Sequence, residues 1–588
     1  MLTSAAFPST LRAMDPQVVL AEAFRAAITR AFGAELADTD PMIRRSNRAD
    51  YQANAAMGLG KRLGKPPREI AVAILAALDL QGVCSKVEIA GPGFVNLELE
   101  PAFVERSIAA LRDDANVGIA KTSTPETIVV DYSAPNVAKE MHVGHLRSSI
   151  LGDAIARVTT ALGHRVIRQN HLGDWGTQFG MLIEHLLDEG ATSETSALSI
   201  ADLNAFYQRA RTKFDGEPSF ADRARARVVK LQSGDAQTLA LWRHLVSESK
   251  RYFGVVYDKL GVTLTEADFA GESTYNAALP GVIAELRDKG LVTDDGGAVC
   301  VFPPGFAGRE GEPLPLIIQK QDGGYGYATT DLAAIRHRLR DLGGTRLVYV
   351  VGSPQSQHLA MVYATAKLAG WLAPPARAEH MAFGSVLGAD KKMFKTRAGE
   401  TVRLVDLLDE AIQRATQVVS EKNPDLDAES IAKVSRAVGV GAVKYADLSS
   451  DRIKDYVFDW DRMLSFDGNT APYLMYACAR VRSILRKGDT DFAHAPIVLG
   501  EPSERALALE LLRFGAVVDE VAATLEPHRL CTYLFEVATS FTSFYEKCPV
   551  LKASTDTQRA SRLALSELTA RVLAKGLDLL GIEAPERM

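Results

Sequence analysis

The sequence predicts a multidomain α/β protein in which a central parallel-sheet domain lies between an N-terminal α+β domain and a C-terminal all-α bundle. Three observations predict it. A strand–helix–strand pattern runs through residues 127–169, and strand patterns return at 345–351 and 380–387. A polar linker, Lys121-Thr-Ser-Thr-Pro125, sets apart the segment before it. From about residue 402 onward, helical periodicity dominates to the end. A length of 588 residues fits about four domains at roughly 150 residues each.

Apolar residues at helical spacing predict helices over 15–33 (Val18, Val19, Ala21, Phe24, Ala27, Ile28) and 66–80 (Ile70, Ile74, Leu75, Leu78). Strands are expected at Val87–Ile89 and Phe94–Leu99, split by the turn Gly91-Pro92-Gly93. This first domain covers 1–120. Thr127–Tyr132 then reads as a short apolar strand, followed by a Ser/Pro/Asn loop. The next helix carries Leu146, Ile150, Ala154, Ile155, Val158 and Leu162 on one face and stops at Gly163. His164–Gln169 completes the βαβ unit. After a charged, largely helical insertion at about 190–295, the sheet resumes with Thr345–Val351 and with His380–Leu387, which ends at Gly388. That places the central domain at 121–405. Residues 406–460 read as a helical connector and 461–588 as the bundle, with amphipathic runs at 505–524, 529–547 and 557–580. Phe541, Phe544 and Tyr545 are assigned to its core.

Composition excludes several classes. Apolar residues at 47% and charged residues at 24% are ordinary for a globular chain, so disordered and collagen-like architectures are out. No apolar run approaches the roughly 18–20 residues that span a bilayer. The first 25 residues mix Arg12, Asp15 and Glu22 with apolar ones and lack a secretory pattern, so a cytoplasmic location is expected. Either Met1 or Met14 serves as the start, and the residues do not decide between them. The five cysteines (Cys84, Cys300, Cys478, Cys531, Cys548) are odd in number, far apart and without a C-x-x-C pair, which argues against a disulfide framework and a zinc site. With 67 basic and 73 acidic residues the net charge is −6, so any nucleic-acid partner must be held by local basic patches.

The sharpest motif is Asp131-Tyr-Ser-Ala-Pro-Asn-Val-Ala-Lys-Glu-Met-His-Val-Gly-His145, which follows a strand and opens a helix. A helix N-terminus offers unpaired backbone N–H groups and a positive partial charge to an anion. Gly144 leaves room for a nucleotide against the backbone. His142 and His145, three apart, share one face of the first turn and can donate hydrogen bonds to phosphate oxygens as charge builds there. No third metal ligand stands at a useful spacing, so no metal is assigned to them. A second loop, Gly388-Ala-Asp-Lys-Lys-Met-Phe-Lys-Thr-Arg-Ala-Gly399, sets four cations (Lys391, Lys392, Lys395, Arg397) between glycines. It suits a triphosphate, although a solvated surface loop has the same composition.

These strings carry a resemblance. His142-Val-Gly-His145 is similar to the H-I-G-H signature of class I aminoacyl-tRNA synthetases, and Lys392-Met-Phe-Lys-Thr396 to their K-M-S-K-S signature. The longer string from Asp131, together with His171-Leu-Gly-Asp-Trp-Gly-Thr-Gln-Phe-Gly180, Asn469-Thr-Ala-Pro-Tyr-Leu-Met-Tyr476 and the final Pro585-Glu-Arg-Met588, resembles the arginyl-tRNA synthetases over essentially the whole chain.

The resemblance implies a Rossmann-type catalytic domain and arginine–tRNA ligation through an adenylate, with ATP, L-arginine and tRNA(Arg) as partners. Mg²⁺ would be carried by the nucleotide phosphates. It also implies that His142, Gly144, His145, Lys392 and Lys395 hold the nucleotide, with Lys139 sharing the work of Lys395 in a proportion the residues leave open. Asp131, Ser133 and Asn136 would take the amino-acid end of arginine, and Tyr327, Asp331 and Gln355 its guanidinium, which favours a bidentate carboxylate. Asp331 also precedes the helical run Leu332-Ala-Ala-Ile335, so a helix cap is its competing role.

Phe94 and Asn96 would stack on and bond a base of the tRNA elbow, though an inward-facing strand residue is the plainer reading of Phe94. Tyr473, Tyr476, Arg480 and Met588 would face the anticodon; the two tyrosines also fit a bundle core. A monomer without membrane attachment is expected. An inactive tRNA-binding paralogue, or a synthetase for another amino acid, are the other readings.

Overall fold

The structure is a computed structural model that describes residues 15–190, 203–392, 394, 402–422, 424, 426–488 and 491–588; Met1, Met14 and Lys395 lie outside them. The N-terminal unit comprises α1 (Pro16–Phe32), β1 (Ile43–Arg45), β2 (Tyr51–Ala53), α2 (Ala55–Leu63), α3 (Pro67–Ala77), β3 (Cys84–Ala90), β4 (Phe94–Leu99) and α4 (Pro101–Asp113). Asp15 starts α1 by accepting the Gln17 N–H at 2.8 Å. The strands form an antiparallel sheet of order β1-β2-β4-β3. Alternation along β4 sends Val95, Leu97 and Leu99 into a core shared with Leu20, Phe24, Ile70 and Ile74, and puts Phe94 and Asn96 on the other face.

The central domain begins with β5 (Thr127–Asp131), α5 (Val143–Ala161), β6 (Arg165–Gln169) and α6 (Thr177–Asp188). The insertion adds α7 (Leu203–Gly216), α8 (Pro218–Gln232), α9 (Ala236–Leu260), α10 (Leu279–Asp288), β7 (Thr293–Asp295), β8 (Ala298–Val301) and β9 (Leu316–Gln319). Then follow α11 (Tyr327–Arg340), β10 (Arg346–Tyr349), α12 (Ser356–Leu368), β11 (Arg377–His380) and β12 (Val386–Leu387). Strands β11-β10-β5-β6 form the expected parallel sheet, with Val130 opposite Val348 and Asp131 opposite Tyr349. Ile128, Val129, Val130, Leu347 and Val348 are all buried, as a sheet covered on both faces requires.

One expectation about strands needs correction. His380–Leu387 is not one strand: β11 ends at His380, and β12 leaves the sheet to pair in parallel with β13 (Tyr456–Val457). Gly384 lies between them so close to the backbone of Ile453 and Lys454 that a Cβ would stand 2.8 Å from it, and this contact diverts the chain. Just past the helical insertion lies an antiparallel sheet, β7-β8-β9, for which periodicity gave no expectation.

The helical part contains α13 (Leu404–Lys422), α14 (Ala428–Leu448), α15 (Trp460–Met463), α16 (Ala471–Lys487), α17 (Pro502–Leu511), α18 (Phe514–Thr524), α19 (His528–Lys547) and α20 (Asp556–Leu579). The run 505–524 is two helices, broken at 512–513; Gly515, in the first turn of the second, meets the Gly118 carbonyl too closely for any side chain. Phe541 and Phe544 are buried, and Tyr545 packs partly buried against them. No helix among the described residues is long and apolar enough to cross a membrane.

Buried polar contacts tie the domains together. Arg147 of α5 donates to Asp447 of α14 at 3.0 Å and to the Lys454 carbonyl at 3.0 Å, with both side chains fully buried. Lys444, also buried, donates to the carbonyls of Leu260 and Gly581. Arg505 of α17 reaches Asp50 at 2.7 Å and the Leu99 carbonyl at 2.8 Å, docking the N-terminal unit on the bundle. Arg112 of α4 donates to the Ala495 carbonyl across the same junction.

Candidate active site

Strands β5 and β10 are neighbours, so their C-terminal ends open side by side, where ligands of open parallel sheets bind. The loop after β5 is strained: Ser133, Ala134 and Ala138 have φ of 74°, 48° and 60°, uncommon for residues with a side chain. Bonds hold it there. Ser133 donates its N–H to Ser148 Oγ at 2.8 Å, its hydroxyl lies 2.8 Å from that of Tyr257, and Ala138 donates to Ser249 Oγ at 2.9 Å. Asn136, exposed, bridges to Gly173 of the His171–Gly180 motif.

The loop delivers His142 as the N-cap of α5. Its Nδ1 accepts the Gly144 N–H at 3.0 Å, while His145 Nδ1 accepts the His142 N–H at 3.1 Å; the rings stand 4.0 Å apart. Burial, helped by the Lys139 charge, lowers the His142 pKa. Burial and the neighbouring His142 bring that of His145 down to about 3. Both rings are therefore neutral near pH 7. Because each Nδ1 is an acceptor, each ring's proton sits on Nε2. The cap thus leaves two Nε2–H donors beside the positive end of a 19-residue helix. Gly144 has a further reason to be glycine: a Cβ there would lie 2.7 Å from Cε1 of His142. Lys139 lies with its Nζ over the Tyr207 ring at 4.5 Å.

The chain that follows the second loop returns to this point, with Arg403 bridged to His142. Gly388 donates to the Lys392 carbonyl at 2.8 Å, and Lys392 is exposed. Beyond the loop, Val143 donates to the Val402 carbonyl at 3.0 Å and Leu404 to that of Met141 at 2.9 Å. The chain leaving the loop therefore brackets His142 on both sides. Residues 402–404, which follow the second motif, thus lie against the first although some 250 residues separate them.

Acidic groups collect at the far side of the cleft. Asp131, at the end of β5, pairs with the buried Arg338 of α11 at 2.8 Å, and its Oδ1 is buried without a hydrogen-bond partner. Burial opposes the charge on Arg338, but Asp131 beside it keeps it charged. Asp331 lies inside α11, which starts at Tyr327, so it is not the cap; it meets His358 Nε2 at 2.6 Å and raises that imidazole's pKa. Burial, then Asp174 and Asp331, push Glu272 up to about 8. Tyr327 is 76% exposed at the mouth, and Gln355 is exposed at the end of the turn after β10. Glu272, His358 and Arg338 were missed in the sequence because nothing near them repeats or signals; only the fold gathers them.

Residues 19–99 match the family described as "Arginyl tRNA synthetase N terminal domain", 108–460 "tRNA synthetases class I (R), catalytic domain", and 474–588 "DALR anticodon binding domain". The arginine–tRNA ligase of Thermobifida fusca is 59% identical over 576 residues, covering 98% of this chain and 100% of its own. The chain belongs to the arginyl-tRNA synthetase family. Within it, the ligase of Synechococcus elongatus is 50% identical, covering 97% of this chain and 100% of its own. Among solved structures, the arginyl-tRNA synthetases of Plasmodium falciparum (TM-score 0.85, 29% identity, 98% and 99% of the two chains) and Thermus thermophilus (0.82, 28%, 97% and 100%) share the fold throughout.

The expected tRNA-facing residues of this synthetase are spread over its two ends. Phe94 is partly exposed on the outer sheet face, so the inward reading does not hold; Asn96 is buried and its Oδ1 accepts from Gln52 at 2.8 Å. Tyr473 packs against Phe535, whereas Tyr476 is 47% exposed and Arg480 lies over the Tyr545 ring at 4.7 Å. Met588 is partly buried against the bundle, and Arg482 holds the Ala584 and Pro585 carbonyls just before it.

Proposed function

We propose that the chain joins L-arginine to tRNA(Arg) at the expense of ATP: the arginine carboxylate attacks the α-phosphate, pyrophosphate leaves, and the arginyl group passes to the terminal ribose of the tRNA. The doubly capped histidine pair at the start of α5 carries this reading. Two neutral imidazoles with fixed Nε2–H donors, at a positive helix end, stabilise a phosphorus centre that gains negative charge. Lys139, Lys392 and Lys395 neutralise the polyphosphate. Imidazole and backbone N–H donors suit phosphate oxygens and not a cation, so Mg²⁺ is expected to arrive on the nucleotide.

Asp131 Oδ1 suits the arginine ammonium, with Ser133 and Asn136 beside it. The guanidinium lies against Asp331, Glu272, Tyr327 and Gln355. A carboxylate cluster that holds one member protonated through burial and mutual repulsion gains most from a permanent cation. Neutral citrulline leaves those charges unpaired. The N-terminal domain (1–120) meets the tRNA elbow through Phe94 and Asn96. The catalytic domain (121–405), with its connector (406–460), performs the chemistry. The bundle (461–588) reads the anticodon through Tyr473, Tyr476, Arg480 and Met588, in a protein that acts as a monomer.

The test is ATP–pyrophosphate exchange with arginine, lysine or citrulline, with and without tRNA. Arginine-dependent exchange supports the ligase, and its presence or absence without tRNA decides whether activation needs the tRNA. Exchange with another amino acid, or tRNA binding without any exchange, supports the competing readings.

A further inference from the structure

Phe394 stands where the K-M-S-K-S pattern has its first serine. Its ring stacks on Phe458, with centroids 4.8 Å apart and planes at 20°. Phe458 meets Trp460 edge-on at 4.7 Å, and the guanidinium of Arg414 on α13 lies over Trp460 at 5.1 Å. Backbone bonds run along the same line. Phe394 donates its N–H to the Val386 carbonyl at 3.1 Å, and Phe458 donates to Leu387 at 2.8 Å, flanking the β12–β13 pair. Just beneath, the Arg147 guanidinium lies over the Tyr456 ring at 5.3 Å, and Arg147 belongs to the helix that His142 and His145 open. The loop thus meets a column of rings reaching the connector helices, next to a side chain of the first signature helix.

We propose that Phe394 is a positioning residue for adenylate formation: its stack on Phe458 fastens the loop that begins at Gly388 to β13 and sets where Lys391 and Lys392 stand relative to His142 and His145. The physical need is clear from the sequence. Four like charges between two glycines repel one another and resist any single arrangement, so ordering them on a polyphosphate costs free energy at the moment of binding. An aromatic stack just after Lys391 and Lys392 orders these two beforehand. Serine, the residue of the pattern at this position, cannot stack. The proposal rests on the reading of the loop as a phosphate-binding element.

The experiment is arginine-dependent ATP–pyrophosphate exchange in the full chain with tRNA present, comparing Phe394→Ser, Phe394→Tyr, Phe458→Ala and the double variant Phe394→Ser/Phe458→Ala, each also followed by thermal unfolding and tRNA binding. Phe394→Ser is expected to lower kcat/KM for ATP by about threefold to tenfold, the range an aromatic pair contributes. KM for arginine and tRNA affinity should change less than about twofold. Phe458→Ala should reproduce the defect, the double variant should be no worse than either single one, and Phe394→Tyr should restore the wild-type value. Unchanged ATP kinetics in Phe394→Ser would overturn the proposal. So would additive effects in the double variant, or a defect that follows a lowered Tm and that tyrosine does not rescue. If the functional reading itself fails, the wild-type chain shows no arginine-dependent exchange, an outcome distinct from all of these.

Discussion

His142 and His145 cap α5 with the same nitrogen that fixes their tautomer, so one local arrangement serves both helix and chemistry. His145→Asn removes one Nε2–H donor and should lower the exchange kcat by about 100-fold with little change in KM for arginine; a small change, or one confined to KM, would contradict the role. The same burial has a cost in acid. A His145 held at about 3 cannot take up the proton that an unfolded histidine accepts near 6.5, so stability from this group is full above that value and lost as pH falls below it. Denaturation midpoints at pH 7.5 and 5.5 should therefore fall further for the wild type than for His145→Asn. Glu272 gives a second pH signature. Held at about 8 by burial and by Asp174 and Asp331, it must lose its proton to pair with a cation, so KM for arginine should rise by up to about tenfold per pH unit below 8. Glu272→Gln should flatten that profile, and a flat wild-type profile would remove Glu272 from the pocket. The capped pair was legible because its residues lie in one contiguous string with a helix behind them. Glu272 and His358 were not, since a residue far along the chain carries no local sign of the charges it will face.

Among elements, long periodic helices and apolar parallel strands were readable, because one buried face imposes a period on the sequence. The misreadings have close backbone contacts or exposure behind them. Gly384 against residues 453–454 lies where a strand was expected to continue, and the turn at 512–513 divides a helix, yet neither alters the apolar pattern. Strand β7 is exposed throughout, Thr-Asp-Asp before two glycines, and reads as a turn. Between elements, the buried pair of Arg147 and Asp447 joins α5 to α14. Burial outweighs the attraction of Arg147 and pushes Asp447 up to about 6, so the pair is a registration device more than a source of stability. Asp447→Ala, which strands the guanidinium, should cost about 3–5 kcal/mol in chemical denaturation, whereas Arg147→Met/Asp447→Leu should recover most of that loss. A double variant as unstable as the single one would mean that the charges themselves hold the junction.

At the scale of the whole molecule, the N-terminal unit and the bundle are docked on each other by Arg505 with Asp50 and Leu99, and by Arg112 with Ala495. The two ends of the chain, proposed to grip different parts of one tRNA, thereby share a frame. Arg505→Ala should raise KM for tRNA severalfold and leave the exchange kcat at saturating tRNA unchanged; a fall in kcat instead would show that the junction reaches the catalytic domain. Domain order was legible from the linker and the shift in periodicity. The docking was not, because its arginines meet backbone carbonyls and an aspartate some 450 residues away, neither of which leaves a local sign in the sequence.

The close fit of Gly144 under the His142 ring changes how genetic variation in the signature is to be interpreted. In a saturation scan, alanine at 144 will score like a lost substrate contact, although what it does is lever an imidazole off its cap. Intolerance at that position reports on the neighbour, and only a comparison of its alleles with those of His142 assigns the phenotype to the right atom.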